Sequence, residues 1–371
     1  MNPIEKQQEL FTQLAVPKWK RAPLPEGLFE QTVAKSQLKI ECEHAKVKIN
    51  PMKALFKNPD YLDYQVFWQA QGTHQKSLGA KFESYVSGFS QDAILIVSNA
   101  KTFEMPKVRL DYFLSEANHN YLIEQLIVVE AGCKLEVILD LSSQDESDLN
   151  YFGKTKIVAK AGSQVKVVKI QRLSKSAHAF DMNLSLVEEG AQLEVVDLQI
   201  GADYKAISYE SELLGKHSHS QMKTAYYGES DQKLDLSFTM THSGKQSESF
   251  ILAKGALSEQ SQKTFRGNLF FSTGASESVG REQEFVTLLS PNVKSDSFPA
   301  LMCSEDDVVG EHAASIGQVD AETLFYLMSR GLAELEAKRM IIKASFEEII
   351  REIGDDTLQS LVMEEVDRRL I

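Results

Sequence analysis

The chain is short of basic residues, proline and glycine, and each shortage excludes a class of protein. Its 371 residues carry 40 Lys and Arg against 53 Asp and Glu, a formal net charge of −13. Such a charge repels phosphate backbones and anionic membrane surfaces, so we expect neither nucleic acid nor a membrane as a partner. With nine Pro and twenty Gly beside 43% hydrophobic residues, the chain is neither disordered nor collagen-like.

Cysteine and long apolar runs are equally scarce. The three cysteines, Cys42, Cys133 and Cys303, are an odd number and too scattered for a disulfide framework. No apolar run has the length that crosses a bilayer, and the first residues, MNPIEKQQELFTQL, lack the basic and apolar regions of a secretory signal. We therefore expect a cytoplasmic protein in a reducing compartment.

An internal repeat is the clearest pattern in the chain. Residues 129–141, 158–170 and 187–200 each read as an apolar residue, two residues, a glycine, two residues and an alternating apolar run. The glycines lie 30, 28 and 25 residues apart, at Gly132, Gly162, Gly190 and Gly215. Because a two-residue alternation is typical of half-buried strands, and no helical pattern separates the runs, the repeat predicts a parallel β-helix with a glycine turn in each coil.

The apolar spacing becomes helical after Gly317. Asp320 is a suitable N-cap for one helix that ends at Gly331, a second is expected over 334–353, and an aspartate after Gly354 begins a third. From Ser304 onward, the chain has 16 acidic residues and 7 basic ones. This acidic helical segment suits either a docking surface for a more basic partner or a solvated cap on the solenoid.

These patterns divide the chain into three parts and predict a mainly β protein. We expect an N-terminal region at 1–90, a β-helix core at 91–316 and a C-terminal helical domain at 317–371. The first part begins with a short helix, followed by the short strands QLKIE and AKVKI. The segment YLDYQVFWQA, at 61–70, is compatible with either a strand or a helix.

Two arrangements would suit a stand-alone β-solenoid enzyme, which is the alternative to a binding function. His217 and His219 are expected on one face of a strand, and His242 within two coils, as a metal site. Asp306 and Asp307 are a candidate carboxylate pair. Neighbouring residues of a strand face opposite ways, however, which argues against a shared substrate.

The stretch that begins at Ser297, SFPALMCSEDDVVGEHAASIGQVDAETLFYLMSRG, resembles the C-terminal signature of the SufB/SufD family. Family members carry a proline-bearing strand, Asp-Asp-Val, His-x-Ala and LFYL-x-SRG in this order. The segments KGALSEQSQKTFRGNLFFSTGAS and PKWKRAPLP are similar to two further parts of the family pattern. Within the family, DDVVGEHAAS followed by SRG is closer to the SufD members than to the SufB members.

The resemblance implies a right-handed parallel β-helix flanked by helical terminal regions, in a non-catalytic subunit of the SUF system for iron-sulfur cluster assembly. It implies a heterodimer with a SufB-like paralogue, formed through the two β-helices. It also implies that the SufC ATPase, which hydrolyses the ATP, docks on the C-terminal helices. In this sequence the docking residues would be Leu324, Phe325, Tyr326, Leu327 and Arg330.

The resemblance also assigns roles near the signature. His312 matches a histidine that faces the SufB partner and takes part in cluster assembly, so we expect His312 and Glu311 at that interface and His312 as a metal ligand. Phe285 stands about where SufB has its cluster-assembly cysteine, and Gly310 replaces a cysteine that some SufD proteins have. Cys303 is expected to be a small buried hydrophobic residue.

No cofactor is expected to bind this chain stably by itself. The iron-sulfur cluster would be transient and would lie at the interface with SufB. A homodimer of the isolated chain remains an alternative, because the open edge of a β-helix tends to pair.

Overall fold

The structure is a computed structural model, and it describes residues 2–17, 23–70, 78–144 and 146–369. Part of the PKWKRAPLP segment therefore lies outside the described residues, as do residues 370 and 371 at the end of the third predicted C-terminal helix. Six α-helices are described: α1 (Pro3–Gln13), α2 (Leu62–Gln69), α3 (Ala80–Phe89), α4 (Ala321–Ser329), α5 (Glu334–Ile350) and α6 (Asp356–Arg369). Short 3₁₀ helices lie at Met52–Phe56, Pro59–Tyr61 and Arg351–Ile353.

Twenty strands make up the rest of the regular structure. The first ten are β1 (Val33–Ala34), β2 (Gln37–Cys42), β3 (Val47–Pro51), β4 (Asp92–Ser98), β5 (Lys107–Leu114), β6 (Asn120–Val129), β7 (Lys134–Ser143), β8 (Asn150–Ala159), β9 (Gln164–Arg172) and β10 (His178–Val187). The others are β11 (Gln192–Gln199), β12 (Tyr204–Leu213), β13 (His219–Gly228), β14 (Lys233–His242), β15 (Glu248–Leu257), β16 (Gln262–Phe271), β17 (Ser278–Leu288), β18 (Lys294–Ser297), β19 (Ala300–Cys303) and β20 (Val308–Gln318).

The strands form a parallel β-solenoid, as the repeat predicts. Successive strands alternate between two sheets, which we call sheet A and sheet B. Sheet A runs in the order β18-β16-β14-β12-β10-β8-β6-β4-β3, with β1 beside β6 and β19 beside β16, and sheet B runs β2-β5-β7-β9-β11-β13-β15-β17-β20. Pairing is parallel except for β2 with β5 and β3 with β4. Equivalent repeat positions stack in register, so that Val165 pairs with Leu135 on one side and Leu193 on the other.

The four predicted turn glycines lie in turns, as expected. Gly132, Gly162 and Gly190 have φ near +65°, a left-handed conformation that favours glycine. Gly215 also lies in a turn, in which the Ser218 nitrogen donates to the Gly215 carbonyl at 3.3 Å, but the left-handed residue of that coil is His217, with φ of 56°. A Cβ on Gly215 would lie 2.0 Å from the backbone nitrogen of Glu189, so this glycine allows close packing of neighbouring coils instead.

Residues of alternate parity on both sheets point into the lumen of the solenoid and form its main core. Leu135, Val137, Val165 and Val167 belong to this core and are almost fully buried. Burial of such apolar surface is the main stabilising term of each coil, because no coil can cover its own lumen-facing side chains.

The outer face of each sheet is covered by helices from one end of the chain. On sheet A, Phe82 of α3 packs against Phe152 and Phe180, and the indole of Trp68 donates to Glu124 Oε1 at 2.9 Å. Trp68 lies in α2, so the 61–70 segment is mostly helical. On sheet B, apolar side chains of α5 and α6, Phe346 among them, form a hydrophobic cluster with side chains of the strands.

The predicted helix ends in the C-terminal region are confirmed. Asp320 accepts a hydrogen bond from the backbone nitrogen of Thr323 at 2.8 Å at the start of α4. Gly331 and Gly354 have positive φ, and Asp355 accepts from the backbone nitrogen of Leu358 before α6. In the described ranges, no helix combines the length and apolar character needed to cross a membrane.

Candidate functional site

The solenoid ends in an open edge after its last coil. Strand β20 pairs with β17 on one side, and the part of the chain that the structure describes places no strand on its other side. In sheet A the last coil contributes the two short strands β18 and β19, both beside β16. We call this end of the solenoid, formed by β18, β19 and β20, the mouth. An eleven-residue unpaired edge offers a row of backbone hydrogen-bonding groups to another chain.

His312 lies on the lumen side of the mouth. The segment is extended, as expected, so Gly310, His312 and Ala314 share one face of β20. His312 pairs in register with Glu282 of β17, whose side chain points into the lumen. The imidazole is exposed, because none of the described segments forms a further coil over this face. Gly310 lies opposite Leu301, where an added Cβ would approach the Leu301 Cδ1 to 2.5 Å.

Glu311 lies on the opposite face of β20, toward the outside of the solenoid. Its Oε2 accepts a hydrogen bond from Arg281 Nε at 2.9 Å. Both side chains are about half exposed. A surface ion pair of this kind contributes at most about 1 kcal/mol to stability, so both side chains can exchange partners at an interface.

A buried polar cluster lies directly beneath the mouth. Glu284 accepts from Tyr226 at 2.9 Å and from Lys263 Nζ at 2.6 Å, and the Ser297 hydroxyl donates to its other oxygen. Lys263 Nζ also donates to Ser297 Oγ at 2.9 Å. Burial lowers the pKa of Lys263, and the neighbouring Glu284 opposes this shift. Lys263 and Glu284 are therefore a fully enclosed ion pair with its remaining donors and acceptors satisfied.

Glu282 is the fifth member of this buried region, and it differs from Glu284 in its hydrogen bonding. Burial and the nearby Glu284 raise the pKa of Glu282 to about 7. Its Oε2 has no hydrogen-bond partner within the described residues, although the side chain is only 2% exposed. Space for the carboxyl comes from Gly267 across the lumen, where a Cβ would lie 2.7 Å from Glu282 Cγ.

The rim of the mouth is apolar to an unusual degree for a protein surface. Met302 is 56% exposed and Leu301 is 42% exposed. Further exposed apolar side chains of the last two coils are Phe285, Phe298, Val309 and Ile316. Exposed apolar side chains concentrated beside an unpaired strand are typical of an interface with another protein. Phe285 lies on the outer face of β17 and leaves no thiol at that position.

The expectation for Cys303 is wrong. Its thiol is exposed at the end of β19, whereas Cys133 is the buried cysteine. The reason is its position in the last coil. Cys303 pairs with the lumen-facing Phe271 of the coil before, and no later coil covers it within the described ranges.

The predicted ATPase-docking residues lie on α4, which stands clear of the lumen. Phe325 is 74% exposed, and the guanidinium of Arg330 lies over the exposed ring of Tyr326 at 5.2 Å. Leu324 and Leu327 are half-buried on the other side of the helix. None of the α4 side chains is fully buried, so the helix presents a large apolar surface without a cover among the described residues.

The two enzyme-like arrangements are not brought together by the fold. His217 lies in a turn and not on a strand, and His219 begins β13, 3.8 Å from Glu248. His242 is buried in the lumen between Ser247 and Ser249. Within the described ranges, no group of three or more His, Cys, Asp or Glu side chains is placed to hold a metal ion. Asp306 and Asp307 are exposed in the turn before β20.

The structure thus defines the class of the fold, a parallel β-solenoid with helices on both outer faces and an open mouth at one end. The chain belongs to the family described as "SUF system FeS cluster assembly, SufBD core domain", whose model matches residues 112–345. The matched region spans the solenoid from β5, the mouth, α4 and most of α5.

Curated relatives agree with this family. The chain is 31% identical to the iron-sulfur cluster assembly protein SufD of Bacillus subtilis over 158 residues, 43% of this chain and 36% of the relative. It is 28% identical to SufB of the same organism over 198 residues, 53% of this chain and 42% of that protein. A SufBD family protein of Mycobacterium leprae is 26% identical over 266 residues, 70% of this chain and 31% of the relative. The chain thus spans less than half the length of these relatives.

Glu282, Glu284 and Lys263 are residues of this site that the sequence reasoning missed. Glu282 carries a usable signal, because the two-residue alternation of EQEFV places Glu282, Glu284 and Val286 on one face. Acidic side chains are usually exposed, so two of them at alternate positions of a strand are normally assigned to its solvent-facing side. The sequence alone therefore does not show that these two are buried.

Proposed function

We propose that this chain is a SufD-like, non-ATPase subunit of an iron-sulfur cluster assembly complex. It pairs with a SufB-like paralogue through the mouth and carries an ATPase of the SufC type on its C-terminal helices. The observation that supports the proposal most strongly is β20, an exposed strand with an unpaired edge that carries both Glu311 and His312.

Pairing through β20 would satisfy the free backbone groups of the edge and cover the apolar rim. An added strand contributes main-chain hydrogen bonds, and the covered side chains contribute hydrophobic burial. The exposed Arg281–Glu311 pair at this end can supply polar contacts that fix the register of the partner.

His312 supplies an imidazole to a cluster that is cargo of the complex. Imidazole is a common ligand of iron, but one side chain cannot hold a cluster, and no set of three ligands is preformed in the described parts of the chain. The thiolates are therefore assigned to the partner. This chain binds no cofactor stably by itself, and ATP hydrolysis takes place in the SufC-type subunit.

The C-terminal helices carry the docking surface for that ATPase. Phe325 and Tyr326 are exposed and adjacent on α4, with Leu324, Leu327 and Arg330 around them. Aromatic and arginine side chains are the residue types that most often dominate the energy of protein interfaces. The excess of acidic residues after Ser304 favours a basic partner surface.

The experiment is co-expression of the tagged full chain with its cognate SufB-like and SufC-like proteins. The wild type is compared with His312→Ala and with the matched control His219→Ala, which removes another exposed imidazole far from the mouth. Subunit stoichiometry and acid-labile sulfide are measured on the purified material.

We expect a complex of all three proteins with each variant and loss of most of the sulfide in His312→Ala alone. Absence of a complex with the wild type would reject the proposed role as a subunit. Retention of full sulfide in His312→Ala would reject the site.

A further inference from the structure

The buried carboxyl group of Glu282 has no role in the fold that its contacts explain. Its Oε2 is without a hydrogen-bond partner within the described residues, although the residue is 2% exposed. Leaving such an oxygen buried and unpaired costs about 1–3 kcal/mol. Native structures keep few groups of this kind, and each calls for a reason.

Glu284 provides the contrast within the same strand. Both of its oxygens are engaged, by Tyr226 and Lys263 on one side and by Ser297 on the other. Glu282 is equally buried and points into the same lumen, yet Gly267 opposite leaves it space without offering a side-chain donor. The lumen thus accommodates the Glu282 carboxyl without supplying a hydrogen-bond donor to its Oε2.

The residue stacked on Glu282 in the last coil is His312. The two residues are paired in the register of β17 and β20 and share the lumen face. Adjacent strands lie about 4.8 Å apart, so side chains at paired positions of a parallel sheet touch one another. The side chain of His312 is therefore the neighbour of Glu282 on the lumen face of the last coil.

We propose that Glu282 is a positioning residue for His312. One ring N–H of His312 donates to Glu282 Oε2, and the second ring nitrogen, which carries no proton, is directed out of the mouth toward the metal of the cargo. Carboxylates that hold the far nitrogen of a metal-binding histidine fix its tautomer and its orientation in this way. The inference rests on the proposed role of His312.

The first test uses the isolated full chain and the side-chain tautomer of His312, read from long-range ¹H–¹⁵N correlations. The variants are Glu282→Leu, which removes the acceptor, and Glu282→Gln, which keeps an acceptor oxygen of the same shape. Glu277→Gln is the matched control, because it makes the same acid-to-amide change in an exposed turn.

We expect one dominant tautomer in the wild type, in Glu282→Gln and in Glu277→Gln, and a mixture of both tautomers in Glu282→Leu. The thermal midpoint of Glu282→Leu should be at or above that of the wild type, because an unpaired buried oxygen is replaced by an apolar group. A mixture in the wild type, or a tautomer population that Glu282→Leu leaves unchanged, would overturn the inference.

The second test uses the three-protein complex and its acid-labile sulfide. We expect Glu282→Leu to reduce sulfide about tenfold or more, with the subunit stoichiometry intact, and to cause no further loss when combined with His312→Ala. If His312→Ala loses sulfide but Glu282→Leu does not, the positioning role fails and the proposed function stands. If His312→Ala retains its sulfide, the site in the proposed function fails.

Discussion

His242 shows how burial in the lumen of the solenoid changes the pKa of a titratable side chain. Its ring nitrogens lie 2.7 Å from Ser247 Oγ and 2.8 Å from Ser249 Oγ, and its ring stacks on Phe271 at 4.5 Å. Burial lowers the pKa of His242 to about 4. The imidazole is therefore neutral in the folded protein at any pH where the protein is expected to work.

We predict that this histidine makes the protein less stable in acid. The unfolded imidazole titrates near pH 6.5 and the folded one near pH 4, so the unfolded chain binds more protons between these values. The stabilisation is complete above pH 6.5 and is lost as the pH falls, by about 3 kcal/mol near pH 4. Urea unfolding at several pH values measures it.

The comparison is with His242→Asn, which keeps hydrogen-bonding groups but does not titrate. Other buried groups are unchanged between the two proteins, so the difference in their pH dependence belongs to His242. We expect a shallower acid dependence in the variant. Parallel stability curves for the two proteins would show that the folded imidazole is not held neutral.

At the residue scale, the sequence predicts the apolar side chains that fill the lumen, but it does not predict the polar side chains that are buried there. Leu135 and Val137 follow from alternation alone, since every second residue of a strand shares a face. Glu284 and Lys263 obey the same alternation, but each has its partner on another strand of the coil. Only the coil register, which a single sequence does not define, brings such partners together.

At the scale of the elements, the turns show where the repeat pattern stops being informative. Glycine occupies the left-handed position in three coils, and this is visible in the sequence. In later coils the same left-handed turn position is occupied by His217, Gln246 and Glu277, all with positive φ. The geometry of the corner is set by stacking of the coils, so the conformation persists after the glycine is lost.

Helix α6 is attached to the solenoid by Arg369, which the sequence reasoning did not single out. Its Nη2 donates to the carbonyl of Leu173 at 3.0 Å, and its Nε donates to Glu365 at 2.6 Å. Its Nη1 lies 3.5 Å from Glu229. The guanidinium is almost fully buried, and these partners offset part of the cost of its removal from water.

We predict that Arg369→Ala loosens α6 while the solenoid stays folded. The change removes the hydrogen bond to the Leu173 carbonyl and one of the two cationic partners of Glu229 and of Glu365, at a cost of about 2 kcal/mol. Hydrogen exchange followed by mass spectrometry should show faster exchange in α5 and α6 than in β7 to β15. Arg368→Ala, at a side chain that is half exposed, is the control and should exchange like the wild type. Equal exchange in both variants would contradict the anchoring role.

A further prediction concerns the exposed face of α4. Phe325→Asp should weaken binding of the SufC-type ATPase about tenfold or more, because an exposed aromatic anchor is replaced by a charge. Phe103→Asp makes the same change at a 96% exposed phenylalanine of the N-terminal half and should bind normally. Titration of the ATPase by calorimetry measures both. Normal binding by Phe325→Asp would exclude α4 as the docking surface.

At the scale of the whole molecule, the helices cover the outer faces of the sheets and leave the mouth bare. The N-terminal helices pack on sheet A, and the C-terminal helices pack on sheet B. The sequence predicts the solenoid and both helical ends, because each has its own periodicity. It does not predict which faces the helices cover, since that depends on contacts between distant segments.

We predict that the isolated chain self-associates through the mouth. An unpaired strand beside exposed apolar side chains tends to pair with a second copy. The double variant Met302→Lys with Ile316→Lys should remain monomeric in light scattering across a concentration series. Val66→Lys, at another exposed apolar residue on α2, is the control and should associate like the wild type. A monomeric wild type would refute self-association.

The central claim is that the mouth is the surface for the SufB-like partner. The most direct measurement is hydrogen exchange of the full chain, alone and bound to that partner. We expect the amides of β20 to become strongly protected, while exchange in the buried strands of the middle coils does not change. Unchanged exchange in β20, with new protection elsewhere on the chain, would contradict the account.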